Sequence, residues 1–179
     1  MNKYLAYPFL YDDANDLKCD FEILTDEISS LIGLLRSLLC DKDKIACPDL
    51  AEDLSKINEL MYHINPSLRT EVEVAAEELE WLAGKNLMLR KDIEEGQSKS
   101  KGLTFYLPQG STPSALSHVI RCKCKVLVRL ISRYQQQGNH VDDILFDFAN
   151  LYSGYFYSLA LWFNKIQGIE ELKFISRVY

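Results

Sequence analysis

Apolar residues return every three or four positions in five stretches of the chain, the period of an amphipathic helix. In the first stretch, Glu22 to Leu39, they are Ile23, Leu24, Ile28, Leu31, Ile32, Leu35, Leu38 and Leu39, with Thr25 or Asp26 as a possible N-cap. The second opens at Pro48 and carries Leu50, Leu54, Ile57, Leu60, Met61 and Ile64. It should stop near Asn65, because Pro66 pushes the residue before it out of helical geometry. The third is expected from Leu68 to Ile93, with a stripe of Val72, Val74, Leu79, Leu82, Leu87 and Leu89. A fourth helix starts at Ser111 or Thr112, where Pro113 suits a first turn, and runs to about Gln137. The fifth opens near Asp142, ends near Gly168 and is rich in aromatics, among them Phe148, Tyr152, Phe156 and Trp162. Together these predict an all-α, five-helix up-and-down bundle.

Residues 1–20 show no period and read as an arm, leaving 21–179 as one helical domain. Because the fifth helix is apolar on nearly every side, it is expected either at the bundle centre or against another subunit, which favours an oligomer.

Composition narrows the function. Of 179 residues, 47% are hydrophobic and only 8 are Gly and 5 Pro, so neither disorder nor a turn-rich β fold fits. No apolar run approaches the roughly 20 residues of a membrane span. No signal peptide is read at the start, and a cytoplasmic location is expected. The net charge of −6 argues against a nucleic-acid partner. The bases are uneven, however: Arg121, Lys123, Lys125, Arg129 and Arg133 crowd one stretch. Five cysteines without a secretory context are expected as thiols, and Cys122 and Cys124 on a helix point to different faces. No metal site is expected from the spacing of Cys and His.

Residues alone leave each candidate with two readings. Phe105, just before a Pro-containing turn, could staple a helix end to the core. Asp26 could be only a cap, and Arg121, Lys125 and Arg129 only a solvated stripe or the partners of the acidic third helix. His118 would more often pack than bind. Asn150 would need a partner if buried.

Three patches go further. FYLPQGSTPSALSHVIRCKCKVLVRL, Phe105 to Leu130, resembles the signature of PduO-type ATP:corrinoid adenosyltransferases, F-x-L-P-G-G followed by H-x-x-R-x-x-C-R-R-x-E-R. Phe105, Leu107, Pro108, Gly110, His118, Arg121, Cys124 and Arg129 fall in register. TDEISSLIGLL is similar to V-D-E-L-N-x-x-I-G-L through Asp26, Glu27 and Gly33. ANLYSGYFYSLALWFNKIQGIEE is similar to the third family segment through Asn150, Leu151, Ser153, Phe156, Leu159, Ala160, Asn164, Gly168 and Glu171. The resemblance covers about Leu24 to Glu171.

It implies a trimer of five-helix bundles with active sites between subunits. There the 5′-deoxyadenosyl group of ATP passes to the cobalt of a reduced corrinoid. It implies that Phe105 is the aromatic that displaces the lower axial ligand, and that Asp26 and Arg121 pair across the subunit boundary. A bidentate carboxylate–guanidinium pair is geometrically defined, so Lys would not replace Arg well. On the nucleotide side the resemblance points to Lys125, Arg129 and Asn150. The ligands implied are cobalamin and Mg–ATP.

The nucleotide side is the less well kept. Residues 1–20 contain no glycine, whereas the family opens with a Gly-rich loop whose amides wrap the triphosphate. Val128 stands where the family has a glutamate, Val126 where it has an arginine, Lys125 where it has another, and Gln109 where it has glycine. The sequence therefore supports two classes: a divergent adenosyltransferase, or a non-enzymatic homologue holding a corrinoid, another ligand or a partner protein at the subunit interface.

Overall fold

The computed structural model describes residues 13, 15–40, 47–72, 74–95 and 105–177. Among them are five helices: α1 Leu17–Cys40, α2 Pro48–Ile64, α3 Ala76–Glu94, α4 Thr112–Gln136 and α5 Asp143–Ile166. The all-α bundle expected from the apolar periods is the observed architecture. The N-terminal residues 1–12, including Tyr7, Phe9 and Leu10, lie outside the described residues, as does most of the polar link between α3 and α4.

α5 is the central helix. It packs on α4 and α3, α4 packs on α1, and α1 on α2. Tyr152, Tyr155, Phe148, Phe156 and Phe163 of α5 are fully buried beside Phe21, Ile28, Ile32 and Leu35 of α1 and Leu54, Ile57 and Leu60 of α2. Tyr152 stays buried because its hydroxyl donates to the Ile57 carbonyl oxygen at 2.6 Å. The apolar character of α5 is thus met inside one chain, and it no longer argues for a second subunit.

Helix starts follow local chemistry. Ser111 caps α4 by accepting the Ser114 N–H, with Pro113 in the first turn. Asp142 caps α5 by accepting the Ile144 N–H at 3.0 Å. Two expectations are corrected. α1 begins five residues before Glu22, as Leu17, Phe21, Leu24 and Ile28 continue its buried stripe. Asp26 is therefore in mid-helix and caps nothing.

α3 begins at Ala76 rather than Leu68. A turn follows Pro66, Val72 and Val74 lie in a non-helical segment, and the Glu78 carboxylate accepts the Ala75 N–H at 2.9 Å, fixing the start. Leu87, expected in the stripe, is exposed. The inward position is taken by Asn86, whose side-chain oxygen accepts the Ser158 hydroxyl at 2.7 Å.

Candidate active site

Phe105 lies in a short extended segment ahead of α4. That segment pairs antiparallel with the residues after α5, through a bridge between Tyr106 and Lys173. The Phe174 N–H donates to the Phe105 carbonyl at 2.8 Å, and the Leu107 N–H to the Leu172 carbonyl at 2.9 Å. In such a pairing Phe105 and Leu107 share a face with Phe174 and Leu172. Phe105 is 58% exposed, and Phe174 and Leu172 are each about half exposed. The aromatic is therefore presented on an apolar ribbon rather than stapled into the core.

The ribbon is held by Asn164, near the end of α5. Its side-chain oxygen accepts the Ser111 N–H at 3.1 Å, and its amide donates to the Gln109 carbonyl at 3.0 Å and to the Glu171 carboxylate at 2.9 Å. One buried amide thus ties the turn before α4 to the chain after α5. Gly110 makes this possible. It sits at φ +128°, and a Cβ there would stand 2.1 Å from the Asn164 side-chain oxygen. Gly168, at φ +65°, turns the chain back toward Glu171. Sequence reasoning matched Asn164, Gly110, Gly168 and Glu171 to a pattern without giving them a task. The signal available was an Asn and two Gly bracketing turns.

Behind the ribbon, α4 and α5 enclose a polar cluster around Tyr157. The Arg121 guanidinium lies 5.4 Å from the Tyr157 ring centre and His118 6.2 Å from it. His118 is 4% exposed, and neither ring nitrogen has a partner within the described chain. Burial, then the Arg121 charge, lowers its pKa to about 4, so the ring is neutral at ordinary pH. Arg121 Nε, Ser114 Oγ and one Glu171 oxygen are also buried and unpartnered. Burial raises the Glu171 carboxyl above the usual range, against its bond from Asn164.

Asp26 is exposed on α1 and accepts the Tyr62 hydroxyl at 2.8 Å. It does not meet Arg121 within the chain. Its neighbour Glu27 pairs with Lys123 of α4 at 2.6 Å. Lys125 and Arg129 are exposed on α4 and form no ion pair among the described residues, so they are not the partners of the acidic third helix. Asn150 is exposed on α5 and needs no internal partner. Cys122 is exposed and Cys124 buried, on different faces as expected.

The cobalamin adenosyltransferase family model matches residues 20–163. Comparison with curated proteins finds no match. Among solved structures the chain is similar to the PduO-type ATP:corrinoid adenosyltransferase of Lactobacillus reuteri. A phenylalanine-to-histidine variant of it, complexed with cobalamin and ATP, superposes at TM-score 0.71 and 19% identity, covering 92% of this chain and 86% of that one. A phenylalanine-to-alanine variant with the same ligands gives 0.72 and 19%, covering 90% and 88%. An arginine-to-lysine variant with ATP gives 0.75 and 21%, covering 90% and 89%. A family model spanning most of the chain and an all-helical fold shared with that enzyme lead to one conclusion: the chain belongs to the cobalamin adenosyltransferase family.

Proposed function

We propose that this chain transfers the 5′-deoxyadenosyl group of ATP to the cobalt of a reduced corrinoid, at sites between the subunits of a homotrimer. The observation that carries the reading is the exposed Phe105 on its clamped apolar ribbon. An apolar aromatic beneath a corrin displaces the lower axial ligand and makes the cobalt easier to reduce. The reduced cobalt then forms its bond to C5′ of ATP as the C5′–oxygen bond breaks and triphosphate leaves. The chain's own part is to hold Phe105 in place and keep water from the lower face.

The trimer is supported by what the single chain leaves open. Asp26 faces solvent, and the half-buried Arg121 has no carboxylate partner among the described residues, as expected of two halves of a pair that closes between subunits. Exposed Ile23 and Leu34 on α1, and Val119 and Val126 on α4, offer apolar surface beside them. On the nucleotide side, Lys125, Arg129 and Asn150 are free to meet a triphosphate. The phenylalanine and arginine altered in the L. reuteri variants lie twenty positions apart, as do Phe105 and Lys125 here. The lysine variant is itself solved with ATP bound, so Lys125 in this role is compatible with nucleotide binding.

A second reading, a homologue that holds a corrinoid without transferring to it, is favoured by Val126, an exposed apolar side chain next to Lys125, and by Val128, which packs toward the core where the family has a glutamate. The deciding experiment is an anaerobic assay of the purified chain with cob(I)alamin and Mg–ATP, read as formation of the cobalt–carbon bond by absorbance. Product supports the transferase. A complete lack of product, with corrinoid still bound, supports the second reading.

A further inference from the structure

The backbones of α2 and α3 hardly approach each other, and between them, over α5, lies a cavity of about 520 Å³. Its apolar walls are Leu50 of α2, Met88 and Leu89 of α3 and Trp162 of α5. Tyr155 forms the floor. This volume falls in the range of roughly 300–1,000 Å³ typical of small-molecule sites. The cavity shares no residue with the Phe105 ribbon or the Tyr157 cluster.

Two features point to an occupant. The first is the Tyr155 hydroxyl. Tyr155 is 1% exposed, yet its hydroxyl makes no hydrogen bond with any described residue, unlike Tyr152 one turn earlier. The Tyr155 oxygen is not one of the sealed, unpartnered atoms of the core, so it is open to a partner in the cavity that Tyr155 lines. The second is charge. Asp53 is bound to Lys85 across the gap at 2.7 Å, and Asp92 to Lys165 at 3.0 Å. Asp92 also accepts the Trp162 indole N–H, which fixes that ring as a wall. The third carboxylate, Asp49, has no cation among the described residues. Its charge adds to burial in pushing the Cys47 thiol up, so the mouth is electronegative.

We propose that this cavity binds a small amphiphilic amine: an aromatic or alicyclic body carrying one ammonium group. The body lies against Trp162, Leu50 and Leu89. The ammonium donates to the Tyr155 hydroxyl or the Asp49 carboxylate, and the fixed indole face favours a cation over an anion. The site is independent of the transfer reaction and requires neither corrinoid nor ATP.

The test uses phenethylamine as probe and the Trp81→Phe chain, in which Trp162 is the one tryptophan left. Titration should change Trp162 emission and saturate. Tyr155→Phe and Asp49→Asn should each weaken binding about three- to tenfold, as loss of one hydrogen bond does. Met88→Phe, which fills space from an exposed position and so spares the fold, should weaken it as well. 3-Phenylpropanoate, the same body with a carboxylate, should bind at least about tenfold more weakly, being repelled where the amine is attracted. A response that stays linear to the solubility limit overturns the proposal. So does equal binding of the carboxylate, or indifference to all three substitutions.

Discussion

The Phe105 ribbon and the Lys125–Arg129 face lie at two levels of the same helix pair and are built in opposite ways. The ribbon is set by the chain itself: two backbone bonds to the C-terminal segment, three bonds from Asn164 and a glycine that only that arrangement demands. Lys125 and Arg129, one turn apart on α4, and Asn150 on α5 are solvated side chains that touch no internal partner among the described residues. On the function proposed, one half of the site is pre-organised in a single chain, and the other would gain its geometry from what comes to it, a second subunit or a nucleotide. Substitutions in the first should therefore register as stability as well as binding, and substitutions in the second as binding alone.

The sharpest way to break that contrast is at the clamp. Asn164→Ala removes three hydrogen bonds from a buried site and should lower stability by about 3 kcal/mol, at roughly 1 kcal/mol each. Urea unfolding measures it. Gly110→Ala should do comparable damage, since its Cβ has no room. A variant of either kind as stable as the parent would remove the clamp from the account.

Next is His118. Its pKa in the folded chain is depressed from 6.5 to about 4, so the unfolded chain takes up the proton first. Its contribution is fully present above pH 6.5 and is lost as pH falls toward 4. Relative to His118→Gln, the parent should lose on the order of 2 kcal/mol over that window. Taking the difference cancels Asp92, whose lowered pKa has the same sign, and Glu171, whose raised pKa has the opposite one. Parallel curves would mean that His118 is not buried neutral.

Phe105→Ala should cost less than about 1 kcal/mol, because the ring is more than half exposed, while corrinoid affinity falls. A large loss of stability would return Phe105 to the core. On the other face, Lys125→Ala should leave the urea midpoint unchanged and weaken Mg–ATP. Smallest of all, Tyr62→Phe removes an exposed bond to Asp26 and should shift stability by only a few tenths of a kcal/mol.

Much of the fold was legible because it rests on periods and caps. The stripes of α1, α2 and α5, Pro48 and Pro113 in first turns, and Asp142 before α5 all declare themselves within a few residues. α3 was misread at its start because Val72 and Val74 sit at spacings that a helix and an irregular segment can share. Its stripe was misread because Asn86 is buried on a partner, Ser158, that lies 72 residues away. The candidate residues of the site were legible through the family pattern. Their arrangement was not. That Asn164 holds the turn at Gly110, or that Arg121 lies against Tyr157, depends on contacts between distant segments.

The most direct measurement is calorimetric titration of the purified chain with cobalamin and with Mg–ATP, separately and then together. The account predicts that cobalamin binds alone, that Phe105→Ala weakens it without unfolding the chain, and that Mg–ATP binds more tightly when cobalamin is present. Binding of neither ligand would leave the fold and the family in place and contradict the function proposed for them.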